Sequence, residues 1–341
     1  MTYRQLGLAA LIAIGAALPA RAAEPVTVNV GIVGAISDGL IFIPEKKGYF
    51  AAEGITVNTI NFPSAANMVA PLSAGQLDVG AGAPSAGLYN AVIRGIALKV
   101  VADKASSQPG YTVNKTLVRT DLLESGRYKT LKDLKGMKVA LNGAGNTNVA
   151  TLSYTLKKAG LKYDDVTTVS LAFPEHVTAL QNKGVDATFT TEPSATIAVE
   201  KGLGKVVIDD AQVDPRHQIA VLLYSQGFAD KRDLAVRFAK AYLRGIRYYH
   251  GALKDGKLAG PNAADVISIL TASTLIKDPA IYHAITPNGV DANGRVNRAS
   301  LQRDYDLWHS MGLINGSIAL DKVVDQSFID TALKQLGPAP K

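Results

Sequence analysis

The feature that most constrains this chain is an internal repeat at an offset of 106–111 residues. Phe62-Pro63 returns as Phe173-Pro174, and Leu72-Ser-Ala-Gly-Gln-Leu-Asp78 as Leu180-Gln-Asn-Lys-Gly-Val-Asp186. Pro84-Ser85 matches Pro193-Ser194, and Gly95 with Val100-Val101 matches Gly202 with Val206-Val207. Chance likeness between common helix–strand units is the alternative, but Pro and Gly agree as well as the apolar pattern. The period is too long for a solenoid, so the repeat predicts two lobes of one design, in keeping with 341 residues as about two domains.

Each pass alternates strand and helix. In the first, Val26 to Val33 is alternating and β-branched, Ser37 and Asp38 open a helix through Tyr49, and Ile55 to Ile60 is a strand. Ser64 opens the next helix, and Leu77 to Gly80 is a short buried strand. In the second, strands at Met137 to Leu141, Val166 to Leu171 and Val185 to Phe189 alternate with helices at Asn146 to Ala159 and Glu175 to Lys183. This order argues for mostly parallel α/β sheets. Strands at Tyr111 to Arg119 and Ile219 to Ser225 are the expected crossings between lobes. From Lys231 onward helical patterns dominate and should return to the first lobe. The expected division is a leader at 1–22, a first lobe of 26–107 plus 227–341, and a second lobe of 108–226.

The leader has the layout of a secretory signal peptide: Arg4, an apolar run from Leu6 to Leu18, then Ala20-Arg21-Ala22. Thirteen apolar residues are too few for a membrane span, which needs about 20. Cleavage would leave a net charge of about +5, dispersed without a basic run, so no nucleic-acid partner is expected. The chain holds no cysteine. That excludes disulfides, cysteine zinc sites, iron–sulfur clusters, a thiol nucleophile and a lipid-anchored N-terminal cysteine. An exported, unanchored protein of a bacterial periplasm is the expectation.

Catalytic motifs fail one by one. Gly143-Ala-Gly145 begins a dinucleotide fingerprint, but Asn148 stands where its third glycine is needed. Ala83-Pro-Ser85-Ala-Gly87 lacks the first glycine of a nucleophile elbow. The five histidines form no i, i+4 pair, so no metal helix is expected. No catalytic residue, metal or cofactor is assigned. What remains is short polar side chains at helix starts after strands: Ser37, Asp38, Ser64, Asn67, Asn146, Thr147 and Asn148. Helix N-termini carry free N–H groups and partial positive charge, so several converging on one cleft would hold an oxyanion. Ordinary capping is the competing explanation for any one of them. Phe173 could wall an organic body. Asp38 and Glu192 fall on the same loops and would repel an anion, unless they serve as caps or hinge contacts or the ligand brings a donor or a cation.

Four segments carry a family resemblance: Gly48-Tyr-Phe50 with Glu53-Gly-Ile55; Ser73-Ala-Gly75-Gln-Leu-Asp78-Val-Gly80; Leu131-Lys-Asp-Leu-Lys-Gly136-Met-Lys-Val139; and Val185-Asp186-Ala187 followed by Glu192-Pro193. From Val26 to Leu336 the chain resembles the substrate-binding proteins of ABC importers, in the group named for nitrate, sulfonate, taurine and thiamine-precursor binding. The resemblance implies a type II periplasmic binding fold, two α/β lobes with a hinged cleft, serving a permease in the inner membrane. Carried onto this sequence, the contacts fall on Ser37, Asp38, Ser64, Asn67, Ser85, Asn146, Thr147 and near Glu192. Thr191 stands where some relatives carry an aromatic residue. Enzymes of the resembling group use cysteine, which this chain lacks. The expectation is a monomeric importer component that captures a small organic molecule, with a sulfonate or carboxylate end as candidates. An enzyme on the same fold and a ligand-sensing adaptor for a membrane receptor remain the alternatives.

Overall fold

The computed structural model describes residues 24–339, so the expected leader at 1–22 lies outside the described residues. The strands are β1 (Val26–Ile32), β2 (Ile55–Asn61), β3 (Val79–Gly82), β4 (Lys99–Ser106), β5 (Asn114–Arg119), β6 (Lys138–Leu141), β7 (Thr167–Ser170), β8 (Ala187–Thr191), β9 (Gly204–Asp209) and β10 (Gln218–Tyr224). They form two five-stranded sheets, β2-β1-β3-β10-β4 and β7-β6-β8-β5-β9. Three strands of each sheet pair in parallel, and the fourth runs antiparallel to both its neighbours. In both sheets that antiparallel strand is the first to form after a crossing: β5 on entering the second lobe, β10 on leaving it. The sequence reading set Ile219 to Ser225 before a boundary at 226, but β10 pairs with β3 and β4 and so rejoins the first sheet at Gln218.

The repeat has a physical basis in the two matched aspartates. Asp78 Oδ2 accepts from Asn29 N at 2.9 Å, and Asp186 Oδ2 accepts from Lys138 N at 3.0 Å. The backbone of each aspartate returns a bond to the same residue, Asp78 N to Asn29 O and Asp186 N to Lys138 O. Each thereby ties the third strand's entry to the first strand, where a parallel ladder would otherwise leave an N–H unpaired. The third strands start two residues later than the apolar pattern suggests, because Leu77 and Val185 are buried ahead of the ladder.

Apolar clusters cover both faces of each sheet. The Arg232–His250 helix buries Phe238, Tyr242 and Ile246 against the first sheet, together with the Ser327–Leu336 helix. The Arg298–Ser310 helix gives Leu301, Tyr305 and Trp308 to the first lobe's other cluster and also contacts the Thr147–Lys158 helix of the second. Phe173 and Ala150 of the second lobe pack in that same cluster, so the lobes meet partly through apolar surface. No described helix is long and apolar enough to cross a membrane.

Candidate functional site

The carboxyl ends of β1, β2 and β3 face those of β6, β7 and β8, and the loops that leave them clasp each other. Ser85 and Asn146 form an isolated antiparallel bridge, and Ala86 N donates to Gly145 O at 2.7 Å. Asn142 Nδ2 donates to Pro63 O at 2.7 Å, Thr147 Oγ1 to Ile219 O at 3.1 Å, and Ile36 N to Glu192 O at 3.0 Å. Gly143 shows how close the approach is. Its φ is +85°, and a Cβ there would stand 2.9 Å from Ser64 Oγ across the interface. Only glycine meets both conditions without strain.

Between these loops lies a small cavity of about 30 Å³, lined by both lobes. Its lining includes Ser37, Lys104 and Ala220 from the first, and Asn114, Asn142, Thr147, Asn148, Phe173 and Thr191 from the second. Lys104 is fully buried. Its Nζ donates to Asp38 Oδ1 at 2.6 Å and to Ala81 O at 3.0 Å, which leaves the third N–H of the ammonium without a partner among the described residues. Asp38 Oδ2 accepts from the backbone N–H groups of Val33, Gly34 and Ala35, the last two at 2.7 and 3.0 Å. The Asp38 charge is therefore fully engaged, and the pair is neutral as a unit. Asn114 Nδ2 is buried at the cavity without a hydrogen-bond partner among the described residues. A buried amide donor left unpaired costs about 1–3 kcal/mol, so an acceptor placed there would be stabilising.

The ten residues singled out from the sequence divide into three groups. Ser37, Thr147, Asn148 and Phe173 line the cavity. Ser85 and Asn146 cap their helices by accepting from Leu88 N and Asn148 N, and form the bridge between lobes. Ser64, Asn67, Asp38 and Glu192 lie outside the cavity lining. Ser64 Oγ donates to Asn67 Oδ1 at 2.7 Å, and Asn67 is exposed. The Glu192 carboxylate accepts from Thr196 N at 3.0 Å and faces Thr286 N at 3.5 Å; burial raises its pKa. Asp38 and Glu192 are thus a loop cap and a hinge contact, which removes the conflict between their charge and an anion. His176 is buried behind Phe173, with Nε2 3.2 Å from Leu171 O; burial lowers its pKa to about 4.

Lys104, Asn114 and Asn142 are polar cavity residues that sequence reasoning missed, and Thr191, noted there only for the aromatic side chain it lacks, lines the cavity as well. Lys104 and Asn114 sit on strands near the crossings, where no capping pattern marks them. A second opening, a groove of about 470 Å³, adjoins on the far side of the Asp38 loop and shares Ala35 with the cavity. Phe42, Leu275 and Tyr282 wall it from one lobe, and Val177 and Ile197 from the other. Among the described residues no three His, Asp or Glu side chains are arranged to hold a metal ion.

Known proteins resemble the chain throughout. It is 26% identical over 323 residues to a Bacillus subtilis (strain 168) protein named for binding aliphatic sulfonates, spanning 90% of this chain and 88% of that protein. It is 28% identical over 278 residues to the taurine-binding periplasmic protein of Escherichia coli (strain K12), spanning 76% and 82%. The alkanesulfonate-binding protein SsuA of Xanthomonas axonopodis pv. citri, solved bound to MOPS, superposes with a TM-score of 0.70 at 18% identity, over 89% of this chain and 99% of that one. The two-lobed fold is therefore that of periplasmic binding proteins. The model of the NMT1-like family matches residues 21–259, and the chain belongs to that family.

Proposed function

We propose that the chain is the solute-binding component of an ABC importer, acting in the periplasm as a single copy and handing an unaltered solute to a membrane permease. The observation that carries this reading is the donor-lined cavity enclosed by loops of both lobes. Its open donors are the third N–H of Lys104 and Asn114 Nδ2, and no nucleophile–base pair accompanies them. That set suits the acceptor-rich end of a small organic anion, a sulfonate or carboxylate. The adjoining groove, with Phe42 and Tyr282, suits an apolar body. The cavity volume of about 30 Å³ is far below the ~300 Å³ of an ordinary small-molecule site, so capture requires the lobes to part and close again. The names of the curated relatives, which include a taurine-binding protein, favour the same class.

The test is thermal unfolding against taurine, short alkanesulfonates, aliphatic carboxylates, nitrate and matched amines. A specific solute at a hundred times its Kd stabilises the native state by about 2.7 kcal/mol. The expected result is a shift with at least one organic anion and none with the amines. A panel in which only amines shift the transition, or a compound recovered chemically altered after incubation with the chain alone, would overturn the proposal.

A further inference from the structure

A second polar cluster, apart from the solute cavity, spans the lobes beside the crossings. His217 lies just ahead of β10, fully buried. Its Nδ1 is 3.2 Å from both oxygens of Asp210, and its Nε2 is 2.9 Å from Asp304 Oδ2. Asp210 follows β9 in the second lobe, while Asp304 belongs to the Arg298–Ser310 helix, which builds the first lobe's core. A neutral imidazole carries one N–H and can satisfy only one of these carboxylates. The geometry therefore calls for a shared extra proton, and that proton is needed only while both carboxylates stay in place.

We infer that His217 is a proton-operated clasp on the cleft: its protonated ring holds one carboxylate from each lobe, and opening the lobes releases the proton. Three further contacts make the cluster an interlobe node. Ser107 Oγ donates to Asp210 Oδ2 at 2.7 Å from the other crossing. Thr151 Oγ1 lies 3.2 Å from His217 Nδ1, and Tyr154 OH donates to Asp304 Oδ1 at 3.0 Å. Both come from the Thr147–Lys158 helix, whose first turn supplies Thr147 and Asn148 to the solute cavity. The clasp thus positions one wall of the solute site.

The other titratable groups around it are Tyr154, Tyr89 and, further out, the Arg303–Asp214 ion pair. Burial pushes both tyrosines further above their ordinary range, so neither titrates near neutrality. Burial alone would lower the pKa of His217, but the charges of Asp304 and Asp210 outweigh it and hold the ring well above the usual histidine value. The sign follows. With the closed-state pKa raised, the closed form binds more protons than the open form between the ordinary histidine range and the raised value. Closure is favoured at low pH and weakens as pH climbs through the raised value.

The proposal rests on the opening of the cleft and on no particular solute. The absence of cysteine allows two exposed sites, Ala74→Cys in the first lobe and Lys129→Cys in the second, to carry spin labels. Interlobe distances are then measured from pH 6 to pH 9 without added solute. The expected result is a short, narrow distribution at pH 6 that lengthens toward pH 9 with a midpoint above 6.5. His217→Gln should abolish the pH response, and Asp304→Asn should move the midpoint down by at least one pH unit. Should His217→Gln fail to fold, the nitrogen resonances of His217 in the otherwise unaltered labelled chain report the ring directly. Distances constant from pH 6 to pH 9, an undisplaced midpoint in Asp304→Asn, or a His217 ring neutral at pH 7 would each overturn the inference. If the labelled chain with His217 intact shows no pH response while organic anions still bind, this proposal fails and the function proposed above stands.

Discussion

In the first lobe, the loop that leaves β1 ends at Asp38, a charge held by three backbone N–H groups and the buried Lys104. In the second lobe, the loop that leaves β6 ends at Asn146, a neutral amide that accepts from Asn148 N and donates to Asn142 O. Beneath these tips the lobes are alike: the same strand order around the antiparallel member, and the same aspartate bonded to the first strand. Backbone pairing fixes the frame and demands the same residue twice. The loop ends face the opposite lobe instead of their own ladder, so they can diverge toward the solute. One side of the cleft offers a buried ammonium and the other offers amides and hydroxyls.

The largest effect should come from breaking the charged side. Lys104→Met leaves Asp38 buried without its cation, which costs about 3–5 kcal/mol, and it also removes a donor from the cavity. Asn146→Ala in the other lobe removes a cap and a hydrogen bond to Asn142 O, together worth about 2 kcal/mol. Denaturant unfolding of the two variants should show that order. Equal losses would mean that the ion pair is not the stronger tie. A smaller effect sharpens the shared frame. Asp78→Ala and Asp186→Ala should each cost about 1–2 kcal/mol, since each leaves one strand N–H short of its acceptor. Asp186 also lies 3.6 Å from Arg119, a pair worth at most about 1 kcal/mol, so its loss should be equal or slightly larger. A neutral result at one position and a full loss at the other would show that the repeat is not built on this contact.

The frame was legible because its cause is local. Alternating β-branched residues mark β1, β2 and β7, and the aspartate ahead of β3 and β8 recurs with its apolar neighbours. The outer strands β4 and β9 escape this reading for a physical reason. Asp103 and Lys104 interrupt the apolar run of β4, and their charges are tolerated only because partners arrive from far along the chain, Gln218 for Asp103 and Asp38 for Lys104. Capping residues were legible as capping residues: Asn146 and Thr147 start a helix as their types suggest, whereas Ser85, whose motif reads only as a failed nucleophile elbow, proves to be a cap. Which of them face a solute was not, because Ser64 and Asn67 have the same composition yet pair with each other. Asn114 carries no pattern at all; it matters only because β5 runs antiparallel beside β8 and brings it opposite Thr191 at the cavity. The His217 cluster joins residues 7 and 87 positions apart, a separation with no periodicity to detect.

In the proposed function the two lobes enclose a small acceptor-bearing molecule on Lys104 and release it unchanged. Native mass spectrometry of the gently purified chain, equilibrated with the best-stabilising anion of the panel, tests this most directly. The expected result is one solute per chain, recovered with its mass unaltered after denaturation and lost from Lys104→Met under conditions where that variant is still folded. Retention of the solute by folded Lys104→Met, or recovery of a compound of altered mass, would contradict it.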